Sequence, residues 1–253
     1  MKTAIITGAS AGLGTELLRA AIELCPDIDA YWLIARRRDR LEALCAQFPQ
    51  KELRAVPLDL TDPVSFDVLQ NLLAAEKPEI ALLINNAGMG KLCDFDAAER
   101  STHLTQVDLN CRALTAVTHC CLPYMHTGGL IMNISSIASF APTPRMAVYC
   151  STKAYVQSFS RALREELKPR GINVLAVCPG PMDTEFLGIA GCETGQSRTF
   201  DTLPHQNPAK MARTALKAGL RGRSVCTMGA FYKLYRVLAH LLPKSFIMKF
   251  TRC

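Results

Sequence analysis

A chain of 253 residues is long enough to bury a sizeable core in one large domain and short for two full ones. Its composition, 49% apolar and 20% charged, excludes intrinsic disorder, a collagen-like repeat and a coiled coil. The net charge of +7 is compatible with a nucleic acid, a membrane surface or a phosphate-bearing ligand, and by itself chooses none of them.

Short apolar runs alternate with helical periods along the chain. Residues 2–7 read as a strand, and 12–24 as a helix with Leu13, Leu17, Leu18, Ala21 and Leu24 on one side. A second strand at 31–35 precedes a helix over 38–48, and a third strand spans 53–57. Asp62 caps the next helix, with Pro63 at its first position, where a missing N–H costs nothing. A fourth strand at 80–85 leads into a long helical region from about 96 to 124, followed by a fifth strand at 129–135. A helix over about 146–168 ends at Pro169 and Gly171, and a sixth strand follows at 172–178. Asn207 and Pro208 open another helix, and 224–228 is read as a seventh strand. Strands apolar on both sides and separated by amphipathic helices predict an α/β fold. Its seven-stranded, mostly parallel sheet would be doubly wound in the Rossmann manner, helices on both faces, as a single domain over 1–253.

The eleven cysteines are an odd number, contain no C-x-x-C pair and sit mostly inside apolar runs. They read as buried thiols of a reducing compartment rather than a disulfide framework, and no metal is expected. Only Ala4, Ile5 and Ile6 follow Lys2 before Thr7 and Gly8, too few for a signal sequence, and no stretch reaches 18 uninterrupted apolar residues. The expectation is a cytoplasmic protein.

Gly8, Gly12 and Gly14 stand where the first strand turns into the first helix, with Ser10 and Leu13 between them. Glycines there let backbone approach a pyrophosphate, whose charge the helix N-terminus favours. An NAD site would place a carboxylate at the end of the second strand, but that strand ends in Arg36, Arg37 and Arg38. Cations at a helix start oppose its dipole, and a 2′-phosphate would turn that cost into charge-assisted hydrogen bonds, so NADP(H) is favoured over NAD. A solvated basic loop is the plainer alternative. Tyr149 and Lys153 lie four residues apart on one helix face, where an ammonium lowers a phenol's pKa and prepares it for proton transfer to a carbonyl oxygen. Such a pair alone is most often ordinary helix surface. Here Asn85–Gly88, Ser135 with Ser136, and Pro179 with Gly180 close the fourth, fifth and sixth strands, the ends at which doubly wound sheets gather their ligands.

With these motifs in order over residues 1 to about 185, the chain resembles the short-chain dehydrogenases/reductases, in the NADP(H)-preferring subgroup of about this length. The motifs are residues 7–14, Asp59, 85–88, Asn110, Ser136, Tyr149 with Lys153, and Pro179-Gly180 followed by Thr184. The spacing to Tyr149 favours Ser136 over Ser135. The resemblance implies a catalytic tetrad. Tyr149 is the general acid/base, Ser136 bonds the substrate oxygen, Lys153 holds the nicotinamide ribose and tunes Tyr149, and Asn110 positions a water. It further implies that Asp59 and Leu60 meet the adenine edge, that Asn86, Ala87 and Gly88 line the adenosine side, and that Pro179, Gly180 and Thr184 face the nicotinamide. Many NADP-binding relatives carry a basic residue where this chain has Ala11, so phosphate recognition falls on Arg36, Arg37 and Ser10. The partner is then an apolar ketone, aldehyde or secondary alcohol, and the assembly a homodimer or homotetramer. An idle dinucleotide-binding regulator and a sugar-nucleotide epimerase are the rivals. The first does not need Tyr149, and the second is expected to carry another glycine spacing.

Residues 182–206 are expected to form a lid whose Phe186, Leu187, Ile189 and Phe200 line an apolar pocket. In residues 230–253, Phe231, Leu234, Leu238, Leu241 and Leu242 recur at helical spacing beside Lys233, Arg236 and His240, until Pro243 breaks the pattern before Phe246, Ile247, Met248 and Phe250. This segment packs on the domain or a twin subunit, or lies on a membrane as a basic amphipathic helix. Nucleic acid is not an expected partner, because the cations are not interleaved with aromatics on a recognisable platform.

Overall fold

Alternate residues of the strands go to opposite faces, and that alternation builds two cores in this computed structural model, which describes residues 1–192, 201–249 and 251. In β1 (Lys2–Thr7), Ala4 and Ile6 join one core and Ile5 the other. The first core packs Leu17, Leu18 and Ala21 of α1 (Gly12–Leu24) and Met211, Ala215 and Leu216 of α8 (Pro208–Leu220) on the sheet. The second packs Leu69 and Leu73 of α3 (Val64–Glu76), Val117 of α5 (Leu114–Cys121) and Leu163 of α6 (Ala147–Leu167) on the other side. Each buried leucine contributes about 1.5–3 kcal/mol relative to an exposed one.

The remaining strands are β2 (Ala30–Ala35), β3 (Glu52–Pro57), β4 (Glu79–Asn85), β5 (Met125–Ile134), β6 (Asn173–Val177) and β7 (Val225–Cys226). Every pairing is parallel, in the order β3-β2-β1-β4-β5-β6-β7. The fold is the doubly wound, single-domain Rossmann type, and the chain reverses its direction of travel between β1 and β4. Their carboxyl ends, Thr7-Gly8 and Asn85-Asn86, therefore diverge around a crevice.

Several boundaries differ from expectation. The predicted helix over 96–124 is broken. A short 3-10 turn at Phe95–Ala97 precedes α4 (Arg100–Val107), one wide π-helical turn at Asp108–Ala113 holds Asn110, and α5 resumes at Leu114. The helix after β2, α2 (Arg38–Cys45), ends earlier than predicted, and the seventh strand keeps only Val225 and Cys226. Pro63 stands at the cap of α3 rather than inside it, and the Asp62 carboxylate accepts the Val64 N–H at 3.0 Å. Cys25, Cys121, Cys178 and Cys226 are buried thiols, as the apolar flanks of those cysteines imply.

Candidate active site

Gly8 adopts a left-handed backbone (φ 65°), which glycine permits without steric cost. Its missing Cβ leaves room for Ala87 Cα, which a methyl would approach to 2.8 Å. Gly14 is tighter still, because a Cβ there would meet the Gly8 carbonyl oxygen at 2.1 Å. The turn is pinned from β4. Asn86 Nδ2 donates to the carbonyls of Thr7 (3.1 Å) and Gly8 (3.0 Å), and Thr7 Oγ1 accepts from the N–H groups of Asn86 and Ala87. Ala11 caps α1 with no side-chain hydrogen bond and no acid stands in the first turn, so the helix start offers its N–H groups to an anion.

A cavity of about 740 Å3 runs from this turn across the sheet's carboxyl edge. At one end lie Gly8, Ser10, Gly12, Leu13, Arg36 and Arg37, then Asp59, Leu60, Asn86, Ala87 and Gly88. Ser136, Tyr149, Lys153, Pro179, Gly180 and Thr184 follow at its centre. Two residues in the sequence-derived set stand elsewhere. Gly14 is behind the turn, where its role is the close approach of α1 to β1. Asn110 is 1% exposed, and its carboxamide is engaged with the chain itself. It accepts from Met89 N at 2.9 Å and donates to Met89 O at 2.8 Å and Thr152 Oγ1 at 2.9 Å. The side chain of Asn110 thereby clamps the wide turn of the broken helix to the strand-end loop and to α6.

At the centre Tyr149 and Lys153 are buried on α6, with Lys153 Nζ 5.7 Å from the phenol ring centroid. Lys153 Nζ donates to the Ile134 carbonyl at 2.9 Å, and a methyl on Gly88 would come within 3.2 Å of it. Ser135 Oγ donates to the Lys153 carbonyl at 2.8 Å, which fastens α6 to β5 and leaves Ser136 as the hydroxyl beside the phenol. The Tyr149 ring also packs against Phe186 of α7 (Glu185–Ala190), centroids 5.9 Å apart.

The expected lowering of the Tyr149 pKa is reversed. Burial pushes the phenol up, and the hydrogen bond with Ser136 offsets only part of that. Burial likewise holds the Lys153 ammonium down to about 8. One cation beyond the ring does not compensate for the loss of water around the hydroxyl, so the buried Tyr149 phenol is held in its neutral form.

At the basic end, Arg37 donates to Ser10 Oγ (3.3 Å) and to Glu185 (3.2 Å), and Arg40 donates to the other Glu185 oxygen at 2.6 Å. Asp59 accepts from the N–H (2.9 Å) and hydroxyl (2.7 Å) of Thr61. Burial raises its carboxyl pKa, but these two bonds and the charge of Arg36 outweigh it and hold the group below the usual range.

Some contributors were not singled out from the sequence. Tyr232 of α9 (Ala230–Leu241) stacks on Gly180, whose Cβ would lie 2.6 Å from the ring, and its hydroxyl donates to the Pro204 carbonyl. Gln206 ties Gly180 N–H to the Met228 carbonyl. Asn133 and Ser160 extend a buried hydrogen-bonded chain from Asn85, already in the strand-end motif, across β4, β5 and α6. A polar residue in an apolar strand was the available signal for Asn133, whereas the tail gave none for Tyr232.

The family model for the short chain dehydrogenases matches residues 2–190. The chain belongs to the short-chain dehydrogenase family. It is an oxidoreductase of alcohol and carbonyl groups with a nicotinamide coenzyme. This dehydrogenase is 33% identical over 216 residues to sulfoacetaldehyde reductase 2 of Chromohalobacter salexigens, covering 80% of this chain and 82% of that one. It is also 33% identical over 191 residues to serine 3-dehydrogenase of Agrobacterium fabrum, covering 73% of each. Among solved structures it resembles a short-chain dehydrogenase from Sphingobium yanoikuyae in complex with NADPH, at TM-score 0.80 and 29% identity, over 98% of this chain and 95% of that one.

Of the predicted lid, residues 182–192 and 201–206 are described, and Phe186, Leu187, Ile189 and Leu203 line the cavity. Residues 193–200, with Phe200, lie outside the described residues, as do Phe250 and Cys253 in the tail. The break predicted at Pro243 separates α9 from a short α10 (Lys244–Ile247), and Tyr232, Ala239 and Ile247 are buried against the domain. Among the described residues no helix is long and apolar enough to cross a membrane.

Proposed function

We propose that this dehydrogenase is an NADPH-dependent carbonyl reductase of apolar, uncharged ketones or aldehydes, working in the reducing environment of the cytoplasm. The observation that carries the proposal is the neutral, buried phenol of Tyr149, held by Ser136 beside Lys153 at the centre of a cavity with an arginine-lined end. The glycine turn supports the coenzyme: Gly8 and Gly12 line the cavity beside the start of α1, in positive-φ conformations that a larger residue would strain. When bound there, the nicotinamide supplies the hydride. Tyr149 Oη supplies the proton to the oxygen of the carbonyl being reduced, and Ser136 Oγ orients that oxygen. The phenolate left behind is stabilised by the Lys153 ammonium, and a proton from solvent restores it. A phenol kept protonated is suited to the reducing direction. The idle-regulator alternative leaves this buried phenol and ammonium without a use.

The coenzyme preference rests on Arg36 and Arg37 lining the cavity where β2 ends, and on Asp59 being occupied with Thr61. The NADPH bound to the Sphingobium yanoikuyae relative points the same way. Charge-assisted bonds to a 2′-phosphate are worth about 1.5–3 kcal/mol, so Arg37→Ala weakens NADPH binding by roughly 10–100-fold and leaves NADH binding unchanged. Glu185 holds both Arg37 and Arg40 in the coenzyme-free chain and competes with that phosphate, so Glu185→Gln tightens NADPH binding and not NADH binding. Fluorescence titration of both coenzymes checks these outcomes. Tighter NADH than NADPH binding by the unaltered chain overturns the assignment.

The substrate class follows from where the charges lie. Among the described residues, the charged ones on the cavity wall are Arg36, Arg37, Asp59 and Glu185 at the coenzyme end and Lys153 at the centre. The rest of the described wall includes Phe186, Leu187, Ile189, Leu203, Tyr235 and Leu238, with Thr143 and Thr251 as uncharged polar groups. Among the described residues a sulfonate or an amino-acid carboxylate meets no cation there, which favours an uncharged substrate at this end.

A pH profile tests Lys153. Its folded pKa of about 8 lies below the ordinary lysine value, so the ammonium that attracts an anionic coenzyme is lost as pH rises through that value. The kcat/KM for NADPH, which reports the free enzyme, therefore falls above pH about 8. Lys153→Met lowers it throughout and removes that bend.

A further inference from the structure

The tail has three sides. Tyr232 and Ala239 face the domain, and Lys233, Arg236 and His240 form one flank. Phe231, Leu234, Val237, Leu238 and Leu241 of α9, with Leu242 and Phe246 just beyond it, form an exposed apolar face in which Leu241 is 72% and Leu234 58% exposed. Singly exposed leucines are ordinary on a protein surface, whereas a contiguous apolar face of this kind marks a contact.

Charge says what the contact is. Residues 230–249, which carry the face, hold Lys233, Arg236, Lys244 and Lys249 and no acidic side chain, a charge of +4. A two-fold partner of the same chain would set this basic face against itself, because such an interface apposes identical patches. An anionic surface into which apolar side chains can insert is complementary on both counts. The face is also continuous with the cavity, since Phe231, Leu238, Leu242 and Phe246 belong both to it and to the cavity wall. Lys244 Nζ donates to the Phe140 carbonyl at 2.7 Å and to the Ala239 carbonyl, anchoring the start of α10 against the domain.

We infer that the α9–α10 face docks on a lipid bilayer bearing anionic headgroups, placing the mouth of the substrate pocket against the acyl region. The docking stands on exposure and charge. That a carbonyl dissolved in lipid then reaches Tyr149 rests on the reductase reading.

The test is co-sedimentation of the full chain with vesicles of phosphatidylglycerol and phosphatidylcholine, and with phosphatidylcholine alone. The expected result is pelleting with the anionic vesicles, at least about tenfold less with the neutral ones, and release at about 1 M salt, where the screening length is about 3 Å. The double substitution Leu234→Glu with Leu241→Glu changes two side chains that do not line the cavity, so it cuts the vesicle-bound fraction about tenfold or more without altering NADPH affinity or the thermal transition. Protein that stays in solution with both vesicle types overturns the docking. So does light scattering in which the unaltered chain self-associates, the variant does not, and neither pellets, because the face then belongs to a second copy. Sedimentation needs no turnover, so failure of docking and failure of the reductase reading are separate results.

Discussion

Tyr149→Phe lowers kcat for carbonyl reduction by about 10²–10⁴-fold and leaves the NADPH dissociation constant unchanged. The substitution removes one hydroxyl and keeps the ring that packs on Phe186, so Tm and coenzyme binding stay at their original values. The loss falls on the chemical step because the proton donor is the group removed. The pH dependence separates this from a packing defect: residual turnover in the variant loses the dependence on a protonated phenol, whereas a disturbed pocket raises KM and keeps it. Ser136→Ala lowers kcat less, since the phenol keeps its proton without that bond. Undiminished turnover in Tyr149→Phe removes this residue from the mechanism.

The second large effect is at Gly14. Its Cβ position lies 2.1 Å from the Gly8 carbonyl and 2.8 Å from Asn86 Nδ2, the amide that fixes the turn. Backbone cannot yield as a flexible side chain does, so Gly14→Ala displaces the first turn of α1 from β1. The cost is about 3 kcal/mol, roughly 6–12 °C in Tm for a chain of this size. On the proposed reading NADPH affinity falls with it, because the same turn would hold the coenzyme's phosphates. A melt matching that of the unaltered chain contradicts the close approach of α1 to β1.

The layered sheet was legible because its strands bury both faces and its helices carry clear apolar stripes. Each site residue at a strand's carboxyl end was legible for the same reason: once β1, β4, β5 and β6 are placed, Gly8, Asn86, Ser136 and Gly180 are carried to one edge. Properties set by packing across the chain were not legible. The helix over 96–124 has continuous periodicity, and the wide turn that breaks it at Asn110 arises from tertiary contact with Met89 and Thr152. Asn110 consequently faces the chain rather than the cavity. The direction of the Tyr149 pKa was missed because helical spacing reports the neighbouring ammonium and not how completely the phenol loses water. Tyr232 was missed because its stacking partner, Gly180, lies 52 residues away in sequence.

Glu185 joins α7 to the arginines that follow β2. As the first residue of α7 it grips Arg37 and Arg40, while Phe186, the next residue, touches Tyr149. On the proposed reading, a phosphate that takes Arg37 from Glu185 would act on the same short helix that lies against the phenol.

The most direct test of the catalytic account follows the hydride itself. The chain is incubated with NADPH deuterated at nicotinamide C4 and a panel of uncharged ketones and aldehydes, and the product alcohols are read by mass spectrometry. The predicted result is one deuterium on the carbinol carbon of apolar substrates, lost on Tyr149→Phe. Tight NADPH binding with no deuterium in any alcohol contradicts it.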